Sequence, residues 1–252
     1  MTFDRYAVPW ACGLTLIAAA TGAHAQSFSE GFDSSTLPTG WLTANLSTSA
    51  NTTTELWRDV GAITDGAVVP TTLVAPHAGA GFAVAGREST SSQALAGATI
   101  SNWLLSPLIS NIRNGDVFSF YTTTTPSPIY ADRLELRLSS AGSSTNVGTT
   151  PLSVGDFSVL LKSVNPTLVQ NGYPDTWTLI TVTVSGLLNP VSGRLGFRYF
   201  VTDGGVQGAN SNIIAVDAFS YTASAVPEVS TGALFAAGLI SMAAWRRRSL
   251  DA

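Results

Sequence analysis

The sequence predicts an all-β protein built as a two-sheet jelly-roll sandwich, and three observations carry that expectation. Apolar and polar residues alternate with a period of two in several separate stretches. No stretch between Gln26 and Ala225 carries a 3.6-residue apolar period. The alternating stretches are short, about ten in roughly 200 residues, and Gly, Pro, Asn and Ser divide them as in a sandwich. Jelly-roll topology is favoured because it limits exposed edges. Alternation alone does not separate it from an immunoglobulin-like sandwich.

The elements follow in order. Segments 27–32, 56–60, 81–86 and 101–108 are the first expected strands. Residues 117–124 form a β-branched and aromatic run launched by the Gly115-Asp116 turn. Leu134, Leu136 and Leu138 point one way, with Arg133, Glu135 and Arg137 opposite. Segment 157–164 is the next candidate. Ile180, Val182 and Val184 alternate with Leu179, Thr181 and Thr183. Leu195, Phe197, Tyr199 and Val201 make one face, against Arg194 and Arg198. Ile214, Val216 and Ala218 alternate with Ala215, Asp217 and Phe219.

Three regions follow: 1–25, 26–225 and 226–252. The first has Arg5 beside Asp4, an apolar stretch from Trp10 to Ala20, and the small-x-small pattern Ala23-His24-Ala25. This is a signal peptide, with signal peptidase cutting between Ala25 and Gln26. Cys12, the only cysteine, lies inside it. The mature chain therefore has no disulfide, thiol nucleophile or cysteine metal site. From Gln26 to Glu228 there are fourteen acids and eight bases, a balance of −6. There is no basic stripe, which argues against a nucleic-acid partner.

The last region reads Val226-Pro227-Glu228-Val229-Ser230-Thr231, then an apolar run from Gly232 to Trp245, then Arg246-Arg247-Arg248. The run gives about 21 Å of helix against a hydrocarbon core of about 30 Å. It is short for a permanent span. The three arginines stop translocation and stay in the cytoplasm, so the domain ahead of them faces outward. This order of parts resembles the PEP-CTERM sorting signal of Gram-negative bacteria, with Val229 where the family has a second proline. The resemblance implies recognition at Pro227 and Glu228 and cleavage by an exosortase, a membrane cysteine protease. A plain C-terminal anchor is the alternative.

A second series runs through the middle region. Ser29-Glu30-Gly31-Phe32-Asp33 precedes Pro38-Thr39-Gly40-Trp41, and Trp103-Leu104-Leu105-Ser106-Pro107 and Ala131-Asp132-Arg133-Leu134-Glu135-Leu136 follow. Trp177, the stretch 194–201 and Asn212-Ile213-Ile214-Ala215-Val216-Asp217 close it. In that order they resemble the choice-of-anchor J domain, which is similar to cleaved-adhesin and MAM-type jelly rolls. The resemblance implies a bacterial surface protein. It also implies a calcium ion tying the first strand to the last, with Glu30, Asp33 and Asp217 as ligands; calcium takes hard oxygen donors and needs no His or Cys. The plain alternatives are that Asp33 opens the turn before Pro38 and that Asp217 pairs with Arg198. The oxygen-rich loop Asp203-Gly204-Gly205 to Asn210-Ser211-Asn212 reads as an ordinary hairpin connection.

Catalysis finds little material. His77 is the only mature histidine, it sits in the turn-like Ala75-Pro76-His77-Ala78-Gly79, and no Gly-x-Ser-x-Gly elbow is present. A histidine zinc site lacks ligands. Among Trp41, Trp57, Trp103 and Trp177, the last two lie in strand patterns that favour core packing, and Trp57 is the least determined. The expectation is an exported, non-catalytic binding or structural protein of the cell surface or exopolysaccharide matrix. The alternatives are a calcium-dependent carbohydrate-binding module and a secreted hydrolase.

Overall fold

The computed structural model describes residues 26–34, 36–51, 57–64, 72–91 and 97–225. The segments expected to be a signal peptide and a sorting tail, including Ala25, Pro227, Glu228 and Arg246, Arg247 and Arg248, lie outside the described residues.

Fourteen strands are described: β1 (Phe28–Glu30), β2 (Leu42–Asn45), β3 (Arg58–Val60), β4 (Ile63–Thr64), β5 (Thr72–Val74), β6 (Phe82–Gly86), β7 (Ala98–Leu105), β8 (Ile109–Ile112), β9 (Val117–Thr124), β10 (Leu134–Ser139), β11 (Val159–Val164), β12 (Thr178–Thr183), β13 (Val191–Gly204) and β14 (Ile213–Thr222). The sole helical turn described is a 3-10 turn over Arg87–Ser89. All ten stretches expected from alternation carry strands. The unexpected ones, β2, β4, β5 and β8, are two to four residues long. Such segments are too short to show a period; they are strands because a neighbour offers them a ladder.

Two antiparallel sheets form the sandwich. The first runs β12-β9-β14-β6-β3, with β1 also on β14; the second runs β11-β10-β13-β7-β2, with β8 also on β13. Each has a long central strand that serves two partners along one edge. β14 pairs with β6 through Ile213–Val216 and with β1 through Phe219–Tyr221. β13 pairs with β7 through Gly196–Gly204 and with β8 through Val191–Gly193. Where β14 changes partner its register against β9 shifts between Asp217 and Ser220, and Ala218 takes a φ of 47°. This is a β-bulge at a special position rather than an irregular end.

The main core fills the space between the sheets. Phe118, Phe120, Ile214, Val216, Phe219 and Tyr221 of the first sheet meet Leu134, Leu136, Leu195, Phe197 and Tyr199 of the second. Trp41 and Trp57 join this core, so Trp57 is packed rather than free, and its indole N–H donates to the Asn102 carbonyl at 3.2 Å.

The outer faces are treated differently. On the second sheet Trp103 and Leu105 lie under the loop between β10 and β11, which lays Val147 and Phe157 over them. Trp103 is thus buried, but on the outside of its sheet. Gly196 makes room for it: a Cβ there would stand 3.1 Å from the indole. Arg198, outward by alternation, is covered too. Its guanidinium donates to Glu135 at 3.2 Å, to Ser101 Oγ at 3.0 Å and to the carbonyls of Pro151 and Ser153 in the covering loop. Arg198 therefore pairs with Glu135 and not with Asp217. On the first sheet the β4–β5 hairpin packs Ile63 and Val74 against Phe82, Val84 and Ala215. It covers only the β6 side of that face.

Candidate functional site

β1 and β14 lie side by side, with Phe28 opposite Tyr221, and Ala223 N–H donates to Ser27 Oγ at 3.0 Å. The first and last described segments of the sandwich therefore lie at one pole. The exit is pinned. Buried Asp116 accepts from Ser224 N–H at 2.8 Å, from Ser224 Oγ at 2.9 Å and from the Tyr221 hydroxyl at 2.5 Å. Burial raises the Asp116 carboxyl, but these bonds and one from Arg113 N–H outweigh it and leave the pKa below the usual value.

The first and last strands also bring together the expected acidic residues. Asp33, just after β1, accepts from the N–H groups of Ala80 and of Gly81, the latter at 3.1 Å. Asp217, at the β14 bulge, accepts from His77 N–H at 2.9 Å, Ala78 N–H at 3.1 Å and Ala218 N–H at 2.5 Å. Two carboxylates from opposite ends of the chain thus grip one loop, 75–81. Glycine is required on the Asp33 side: Gly79 has a φ of 65°, and a Cβ on it would strike the Asp33 carboxylate. Glu30 is turned to its own strand end and accepts from Phe32 N–H at 2.9 Å. Burial pushes the Asp217 carboxyl up, against the pull of the three N–H groups and of nearby His77. All three side chains offer oxygen donors, the chemistry calcium takes. Asp33 and Asp217 hold the loop while Glu30 bonds its own strand end, and among the described residues no three His, Cys, Asp or Glu side chains are grouped to hold a metal ion.

The gripped loop presents His77. Its imidazole is stacked on Tyr121, with ring centres 3.5 Å apart and planes 19° from parallel, and Trp177 stands edge-on at 6.1 Å. Trp177 is half-buried; it packs on Phe82 and its indole N–H donates to the Ala75 carbonyl at 2.8 Å. Trp177 thus belongs to the outer face of the first sheet, not to the main core that its strand pattern suggested. Alternation in residues 117–124 placed Tyr121 on a strand face, but no local signal pairs it with residue 77 or 177. Those contacts exist only because β9, β12 and β14 are neighbours. The Asp203 loop behaves as a connection: Asp203 accepts from Gly97 N–H at 2.9 Å and Asn210 N–H donates to the Asp203 carbonyl.

No family model matches the sequence, and no curated protein matches it. Solved structures do. The K1 cleaved adhesin domain of Lys-gingipain from Porphyromonas gingivalis W83 is 16% identical, with 79% of this chain and 99% of that domain covered and a TM-score of 0.50. The K3 cleaved adhesin domain of the same protein is 15% identical, covering 77% and 98%, with a TM-score of 0.48. A xylan-binding domain from Paenibacillus barcinonensis is 12% identical, covering 81% and 97%, with a TM-score of 0.38. At this level of identity the likeness concerns fold alone: the chain has a β-sandwich like that of a cleaved adhesin domain.

Proposed function

We propose that this chain is an exported binding or structural protein of the bacterial surface or its polysaccharide matrix. The signal peptide takes it through the inner membrane. The tail holds it there until an exosortase cuts near Pro227-Glu228. The observation that supports this reading best is the shared pole. Both ends of the domain leave at one corner, and Asp116 fixes the second of them through Ser224. A domain hung from one corner keeps its faces clear of the membrane before release. Intact-mass measurement of the protein from its native host tests the proposal. The expected species begins at Gln26 and lacks Arg246, Arg247 and Arg248; a mature chain that retains them overturns the sorting step.

Calcium is part of the same proposal, with Glu30, Asp33 and Asp217 as its holders. Asp33 and Asp217, which hold one loop, support it, while Glu30 bonds Phe32 N–H and enters through the family resemblance alone. Each carboxylate offers about four lone-pair directions, so the backbone bonds do not exhaust them. Binding would stabilise the fold by mass action. The expected result is a melting temperature that falls on addition of a chelator and recovers with calcium. No change in either direction removes the ion from the account.

A further inference from the structure

The half of the first sheet's outer face that the β4–β5 hairpin leaves bare has an unusual make-up. Phe118, Phe120, Phe219 and Tyr221 point into the core, with Phe28, Ile180 and Val182 packed against it. Alternation therefore turns Ser29, Val117, Ser119, Tyr121, Leu179, Thr181, Thr183, Ser220 and Thr222 outward. The ladder sets them in rows: Thr181 beside Ser119, Ser119 beside Ser220, Ser220 beside Ser29, and Thr183 beside Val117, beside Thr222. Leu179, Thr181, Thr183 and Thr222 are exposed, and no described residue forms an apolar cluster over these rows. Apart from buried Asp217, no Asp, Glu, Lys or Arg of β1, β9, β12 or β14 points outward here. The row Leu179–Tyr121–Asp217 closes one end, where His77 and Trp177 stand as an aromatic wall.

We infer that this face binds a neutral polysaccharide chain, a reading that rests on the proposed binding role and names its ligand class. Three features select that partner. Rows of hydroxyls match the donors and acceptors of sugar rings without imposing a charge. An exposed imidazole and a half-buried indole offer flat apolar surface to the carbon-hydrogen faces of a pyranose. The wall is pre-set, because Asp33 and Asp217 hold loop 75–81 and Tyr121 backs the His77 ring, so little ordering remains to oppose binding. No Lys or Arg of β1, β9, β12 or β14 points outward to meet an anionic polymer or a nucleic acid.

Affinity electrophoresis of the purified protein through gels holding xylan, mannan, a soluble β-glucan or alginate tests the inference. Retardation by at least one neutral polymer, and none by alginate, is expected. His77→Ala and Thr181→Glu should each weaken that retardation by about tenfold. Both positions are exposed, and unchanged circular dichroism shows that the variants fold. Leu152→Ala, exposed on another part of the surface, should bind as the parent does. No retardation by any neutral polymer, or retardation untouched by both variants, overturns the inference. A mature chain cut as expected but without polysaccharide binding sinks this inference and leaves the export reading standing.

Discussion

Two buried charged groups set the residue-scale expectations. Glu135 accepts from Arg137 at 2.7 Å and from Arg198 at 3.2 Å, and Arg198 is fully buried beneath the Pro151–Ser153 loop. Burial lowers the Arg198 pKa to about 10, and Glu135 opposes that fall. The guanidinium also lies 3.7 Å from the centre of the Phe200 ring. Removing the acid leaves a buried cation without its counter-charge, so Glu135→Ala should cost about 3–5 kcal/mol in urea unfolding. Asp132 is the second group. It accepts from Asn212 N–H at 2.8 Å, the Tyr199 hydroxyl at 2.5 Å and Thr124 Oγ1 at 3.1 Å, and so ties the two sheets together. Burial raises its carboxyl to about 6 despite these bonds. The folded protein therefore holds this proton after the unfolded chain has released it, and stability falls as pH rises from about 4 to about 6. The group accounts for a loss of about 3 kcal/mol across that window. Urea midpoints measured at several pH values should show this fall in the parent and a flatter profile in Asp132→Asn. Asp116 has the opposite sign: its lowered pKa adds stability above the unfolded value, and that contribution is lost as pH drops.

At the scale of elements, the loop from β10 to β11 and the bulge in β14 matter most. The loop is a lid on an outer core. Phe157 is fully buried, with its ring centre 5.5 Å from Trp103. Phe157→Ala should cost about 3–5 kcal/mol. It should also open residues 140–157 to proteases, which limited proteolysis reads directly. The bulge follows Asp217, and Ala218 occupies the left-handed region to make it; it carries Phe219, expected on the face of Asp217, into the core with Ile214 and Val216. Glycine accepts that region without a Cβ penalty. Ala218→Gly should leave stability unchanged or raise it by about 0.5 kcal/mol, since the relief of about 1–2 kcal/mol exceeds the added chain entropy. A marked loss of stability would show that the bulge is not the relaxed form of this strand.

The whole molecule has a pole and two unlike faces. The first and last described strands lie side by side, the second sheet is roofed by its own loop, and the first is half bare. The two long strands β13 and β14 make this possible, because each trades one neighbour for another partway along its edge. Much of this was legible beforehand. Leu134, Leu136 and Leu138 point inward as expected, and so do Ile214 and Val216, because side-chain direction in a strand follows from period two alone. Glu30, Asp33 and Asp217 were expected at the junction of the first and last strands; Glu30 accepts from Phe32 N–H, whereas Asp33 and Asp217 bond one loop. Their shared partner, loop 75–81, was not foreseen. Trp57 was undetermined and proved to be core, while Trp177 was read as core and proved half-buried. For bulky aromatics, alternation names a face but not what covers it.

The order of residues along the chain settled which side most strands bury and that residues 26–225 contain no cysteine. Those are local properties: they depend on a spacing of two or a missing residue type. Folding settled which strands lie beside one another, and with them the meeting of His77 with Tyr121, Trp177 and Asp217. Contacts that span 44 to 140 positions depend on sheet order and on where a long strand exchanges neighbours. No single segment contains that information, because many orders of the same strands bury the same apolar faces.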